Sequence, residues 1–351
     1  MGKKNPNTTF VEASAEERVQ EREKLLQMKI SELGLKLEGT RMEALVNELY
    51  KELESAGILL KPRVYLTDEW GCPEGVPIIG VPFYLADEKL ARIQNEILEG
   101  IEGQSDEEFL MYLRHEAGHA FNYAHKLYES EKWRELFGPY SRPYLEEYEP
   151  NPFSRKFVRH IAGWYAQKHP DEDFAETFAV WLTPNSNWRE VYKEWGCYEK
   201  LLYVDMIVRE VGATEPQISG EVYDVTSEAL DYSIAEYNKL YSPRMVEVPD
   251  YFAADLKVIF QKKSPVGEEG NWEPAHDFLS RYRRHITDNI SYWTGLNETV
   301  VRSLIFRFIG DCRKLDLWID LDKIQETLVE VTAFATTLCM NRLYKGDFII
   351  K

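Results

Sequence analysis

Residues 105–130 run without a proline and carry near their middle the pentapeptide His115-Glu116-Ala117-Gly118-His119. At the start of the stretch, Ser105-Asp106-Glu107-Glu108 has the S-x-x-E form of a capping box, with acids in the first turn where the helix dipole favours them. Phe109, Leu110, Leu113, Ala117, Ala120 and Phe121 then recur at helical spacing. The pattern predicts one long helix with the pentapeptide well inside it. Histidines at i and i+4 share a helix face and stand about one turn apart, so His115 and His119 can reach a single metal ion. A Zn²⁺ held by them and a third protein ligand keeps its fourth position for water and makes that water acidic near neutral pH. Glu116 is placed to take the water's proton as general base. Gly118 costs helix propensity; either it lets another element approach closely or it is incidental.

No further histidine stands close behind His119 at ligand spacing, so the third ligand is sought among acids. Residues 169–182, HPDEDFAETFAVWL, read as a second helix with Pro170 in its first turn and Phe174, Phe178, Trp181 and Leu182 as its apolar stripe. Glu172 and Glu176 share a face, so one can bind metal while the other orients a histidine. A solvated acidic first turn accounts for Asp171 and Asp173. It accounts poorly for Glu176, which lies among Phe174, Ala175, Thr177 and Phe178.

HEAGH followed some fifty residues later by this second helix resembles the zinc-binding metallopeptidases of the gluzincin type. The pairing is also similar to the catalytic domains of anthrax lethal factor and the Pro-Pro endopeptidases. The resemblance covers residues 75–185. It implies Glu172 as the third zinc ligand, Glu176 behind the histidines, and Tyr165, seven residues before Glu172, as a tyrosine pointing into the site. Such a phenol donates a hydrogen bond to the oxyanion formed at a carbonyl. The fold expected is α+β and mostly helical, a zincin-like core with a small edge-stranded sheet and additional helical segments. The activity expected is hydrolysis of peptide bonds with one Zn²⁺ per chain. A catalytically silent scaffold, or a zinc hydrolase of a non-peptide amide, would share the same metal residues.

A net charge of −18, from 42 basic and 60 acidic residues, argues against nucleic acid or an anionic membrane as partner and leaves a peptide or protein substrate. The four cysteines form no CxxC pair and read as free thiols of a reducing compartment. With no signal-like apolar segment and no run of about 18 apolar residues, the chain reads as cytoplasmic.

The chain divides into a helical extension at 1–60, a catalytic unit at 61–263 and a helical module at 264–351. Residues 1–12 read as a mobile tail, 14–33 and 40–55 as helices, 64–66 as a strand. Residues 76–85 read as an edge strand because of Pro77 and Pro82. That edge either receives an extended peptide by strand addition or is covered by the N-terminal helices. The Tyr- and Pro-rich stretch PYSRPYLEEYEPNPF, residues 139–153, either lines the cleft or is a structured connection. His125 reads as a surface or packing residue, and His160 and His169 precede the second helix. Helices are expected over 187–212, 225–241, 248–262, 275–294, 297–314 and 320–343, with a linker at 265–273. Arg281, Arg283, Arg284 and His285 read as a solvated basic face.

Overall fold

The computed structural model describes residues 15–98, 100–145, 148–219, 225–242, 245–262 and 271–349. The tail at 1–12 and most of the linker expected at 265–273 lie outside them. Helix α1, Ala15–Gln27, stops short of residue 33 because the following backbone donors are taken elsewhere: Ile30 and Ser31 N–H donate to Tyr232 O and Leu230 O. Helix α2, Arg41–Ser55, begins as its sequence predicts, with Thr40 accepting from Glu43 N–H, and buries Met42, Leu45, Val46, Leu49 and Leu53.

Strands β1, Arg63–Thr67, and β2, Ile78–Pro82, pair in parallel with Tyr65 opposite Gly80. Every residue of β2 is buried. The edge facing away from β1 is closed to strand addition by local bonds. Gly80 exchanges both backbone hydrogen bonds with Gly71, Ile78 N–H donates to Val76 O, and Pro82 has no N–H. A turn of the chain itself, around Gly71, thus caps this edge.

Helix α3 spans Glu88–Ile97 and α4 spans Asp106–His125, with Ser105 accepting from Glu108 N–H at its start. After α5, Glu131–Phe137, a long irregular segment leads to α6, Pro170–Leu182, whose N-cap is His169. The helix expected over 187–212 is two, α7 (Trp188–Val191) and α8 (Tyr198–Val211). The break falls where Cys197 N–H donates to Arg155 O, a carbonyl distant in sequence. Helix α9, Ile234–Tyr241, starts later than expected because Ser233 and Glu236 form a capping box there.

The C-terminal part is not purely helical. Helix α10, Ala253–Ile259, precedes β3, Gln261–Lys262; β4, Trp272–Pro274, leads into α11, Ala275–Thr294. Helix α12, Glu298–Leu315, is followed by β5, Leu317–Asp320, and α13, Ile324–Lys345. Strand β5 lies between β3 and β4, antiparallel to both. Strands of two to four residues are too short for a period-2 pattern to announce them. Of the expected basic face, Arg284 is tied down: it donates to Gln104 and Glu108 at the start of α4.

One apolar cluster gathers side chains from Ile30 to Tyr237, with Phe109, Phe121, Phe174 and Phe178 at its centre; a second runs from Phe252 to Phe348. No helix among the described residues is long and apolar enough to cross a membrane. All four cysteines are free thiols, as their scatter predicts.

Helices α4 and α6 meet at Gly118. A Cβ there would stand 2.8 Å from Ala175 Cα and 2.9 Å from Ala175 O. These are backbone atoms that cannot step aside. The glycine is therefore required by the approach of α6. Gly118→Ala should cost about 1–3 kcal/mol of overpacking, only partly offset by about 1 kcal/mol of helix propensity; a lowered Tm and weakened metal binding in the same variant would show it. Behind α6, Lys200 of α8 donates to Asp173 at 2.5 Å, both side chains buried. Lys200→Met should cost about 3–5 kcal/mol by leaving that carboxylate unpaired, and Asp173→Leu in the same chain should restore most of the loss in a denaturant titration.

Candidate metal centre

Helix α4 brings His115 and His119 to one face with their Nε2 atoms 3.1 Å apart. Helix α6 adds Glu172 from its first turn, Oε2 lying 3.0 Å from His115 Nε2 and 3.2 Å from His119 Nε2. All three residues are buried, at 2%, 6% and 5% exposure. Together they form a group able to hold a metal ion. A triangle with 3.0–3.2 Å sides is one face of a tetrahedron whose centre lies about 2 Å from each corner, the distance zinc keeps to imidazole nitrogen and carboxylate oxygen.

The other nitrogen of each ring is also committed. His115 Nδ1–H donates to Glu176 Oε1 at 2.9 Å, and Glu176 Oε2 accepts from Ile161 N–H. His119 Nδ1–H donates to Asp171 Oδ2 at 3.0 Å. In its neutral form each imidazole thereby turns an unprotonated Nε2 towards the triangle, the arrangement that metal-binding histidines need. Asp171 is not the solvated first-turn acid expected from sequence. It is buried and also accepts from Asn122 Nδ2 and Tyr123 OH of α4. The signal was present: Asn122 and Tyr123 follow His119 at i+3 and i+4, extending the polar face of α4 by a turn. Asp173 is likewise buried and faces Lys200.

Four carboxylates, Glu116, Asp171, Glu172 and Glu176, share this interior with two imidazoles. Burial lowers the pKa of His115, but hydrogen bonds to Glu172 and Glu176 outweigh it and push it up to about 9. His119 is raised well above its usual value in the same way, against burial, by Asp171 and Glu172. Burial favours a neutral Glu172, yet His119 and His115 hold it well below the usual carboxylate range. The excess negative charge thus draws protons onto the imidazoles, and a divalent cation satisfies the same demand. Glu116 is raised by its burial, with His115 and His119 opposing.

Tyr165 opens a short 3₁₀ turn, Tyr165–Gln167, directly after two left-handed residues, Gly163 (φ +77°) and Trp164 (φ +61°). A tryptophan in that region is strained and is held by its surroundings. Trp164 Nε1–H donates to Tyr292 O of α11, the two rings stack, and the Arg159 guanidinium lies 4.2 Å above the indole. The Tyr165 ring sits 5.5 Å from that of His115, and burial raises its phenol pKa so that it remains a proton donor.

The loop over 139–153 has one foot in the site. Tyr144 OH donates to Glu172 Oε1 at 2.7 Å and stands 3.0 Å from Tyr165 OH. Tyr140 stacks on Tyr128, and Tyr148 OH donates to Gly163 O. Three tyrosines four residues apart were the only trace of this in the sequence. The remaining histidines lie apart from the triangle. His125 packs on Phe121, His160 contacts Met111 O, and His169 caps α6 through Asp171 N–H.

Residues 104–200 match the model of a family described as "Putative zinc-binding metallo-peptidase". The match begins one residue before the cap of α4 and ends inside α8, so it contains every residue of the triangle and its carboxylate supports. The family's zinc binding and the His115–His119–Glu172 cluster therefore fall on the same stretch of chain. No curated protein and no solved structure matches the chain.

Asp171→Asn keeps the shape of the side chain but removes the charge facing His119 Nδ1. Zinc affinity should fall about 10–100-fold, as for other groups that orient metal-binding histidines; competition against a chromophoric chelator measures it.

Proposed function

We propose that the protein is a zinc-dependent peptidase of the gluzincin type that holds one Zn²⁺ per chain through His115, His119 and Glu172. The observation carrying this reading is the triangle of Nε2, Nε2 and Oε2 with a carboxylate behind each imidazole. Bound there, zinc would polarise a substrate carbonyl and bring the pKa of a water molecule near 7.

The chain's own groups supply the rest. Glu116 follows His115 directly on α4 and takes the proton from the attacking water, then passes it to the leaving amine. Tyr165 keeps its proton at neutral pH and donates to the oxyanion. Glu176 and Asp171 hold the two imidazoles in the tautomer that leaves Nε2 free. The substrate is a peptide or protein, and the free thiols support a reducing, cytoplasmic setting.

Elemental analysis should find about one zinc per chain in the wild type and none in His115→Ala or Glu172→Ala. Glu116→Gln should keep its zinc and lose about 10²–10⁴-fold in turnover. Comparing protein termini in cells that express wild type or Glu116→Gln reads the cleavage directly. Identical termini with zinc retained in both would favour a metal-stabilised scaffold, or a hydrolase of another amide, over a peptidase.

A further inference from the structure

We propose that Tyr144 is a positioning residue of the metal centre: its hydroxyl joins the Tyr165 phenol to the outer oxygen of Glu172 in one directed hydrogen-bond chain. The inference rests on the peptidase reading and concerns a residue that lies far from both metal-bearing helices in sequence.

The direction of the chain follows from counting protons. A phenol has one O–H, and an ionised carboxylate only accepts. Glu172 uses Oε2 towards the two imidazoles, so its other oxygen, Oε1, is the one Tyr144 meets, at 2.7 Å. Tyr144 spends its proton there. The 3.0 Å contact between the two phenols must then be donated by Tyr165. The order is Tyr165 to Tyr144 to Glu172.

Two consequences follow. Glu172 is held with a single oxygen facing the histidines, because the other is occupied. The Tyr165 O–H that the proposed mechanism directs at the oxyanion is donated to the Tyr144 oxygen until a substrate carbonyl competes for it. Tyr144 therefore both fixes a ligand and holds Tyr165 aimed into the site.

The support of Tyr144 is itself built. Its ring packs against His169 at 5.4 Å, and Lys168 Nζ lies 4.4 Å over it and 5.2 Å over the ring of Tyr165. His169 Nδ1 accepts from Asp171 N–H, so Nε2 carries the proton and donates to Arg142 O at 2.8 Å. One tautomer of His169 thus caps α6 and anchors the loop two residues before Tyr144. Tyr144 remains 48% exposed, which places it at the mouth of the site.

The test uses the full chain and Zn²⁺ alone, titrated against a chromophoric chelator. Four proteins are compared: wild type, Tyr144→Phe, Tyr165→Phe and the double variant. Tyr144→Phe should weaken zinc about 10-fold or more. Tyr165→Phe should have a smaller effect in the wild-type background and none beside Tyr144→Phe, because Tyr165 reaches Glu172 only through Tyr144. The Co²⁺-substituted protein should also change its visible spectrum in Tyr144→Phe, as Glu172 becomes free to offer both oxygens. Since Tyr144 is half exposed, circular dichroism of the apoprotein should be unchanged. Unaltered zinc affinity and Co²⁺ spectrum in Tyr144→Phe, or strictly additive effects of the two substitutions, would overturn the inference. If wild type still binds zinc and His115→Ala does not, the peptidase reading survives that result. A wild type that binds no zinc sinks both.

Discussion

The centre depends on how closely two helices approach at Gly118. Gly118 stands three residues after His115, and Ala175 three residues after Glu172, so each small residue lies on the face that carries its helix's polar groups. With hydrogen facing backbone, α6 settles against α4 until Glu172 and Glu176 reach the imidazoles from opposite sides of the His115 ring. The aromatic residues around this contact, Phe121, Phe174 and Phe178, seal it from water. A metal site needs its side chains held to within about 0.5 Å, and close-packed helices provide that rigid frame.

Charge is the second organising constraint. Burying four carboxylates beside two imidazoles is costly unless something positive compensates. In the protein alone that role falls to protons on His115 and His119, whose pKa values are raised by Glu172, Glu176 and Asp171. Metal and proton therefore compete for the same nitrogens. The contrast with Asp173 is instructive: three residues before Glu176 on the same helix, it is neutralised by Lys200 instead. Charge on α6 is compensated towards α8 by a lysine and towards α4 by the histidines. Among the described residues, the C-terminal part meets the supports of the site through Tyr292 under Trp164 and Arg284 at the start of α4.

The parts that could be read without a structure are those set by local geometry. Ser105, Thr40 and Pro170 mark helix starts at the positions where the structure has them, and α11 runs over the interval its periodicity predicts. Reading failed where a segment's backbone bonds to something distant. Ile30 and Cys197 each bond across the chain to a distant carbonyl and each interrupts an element that the local pattern would have continued. The short strands β3, β4 and β5 were missed for the same reason, since each is defined by its partner.

At the site, the sequence by itself determined the face of α4 that carries His115, Glu116 and His119, because the spacing of i and i+4 follows from the helix alone. It also determined that an acidic face of α6 would be buried, since Glu176 lies among apolar residues. Only the tertiary structure decided which carboxylate meets which nitrogen: Glu172 against both Nε2 atoms, Glu176 against His115 Nδ1, Asp171 against His119 Nδ1. Tyr144 belongs wholly to that second kind. Its place beside Glu172 is fixed by the path of an irregular segment and by His169 holding Arg142. No residue spacing encodes such a path, because it is set by the packing of the elements on either side.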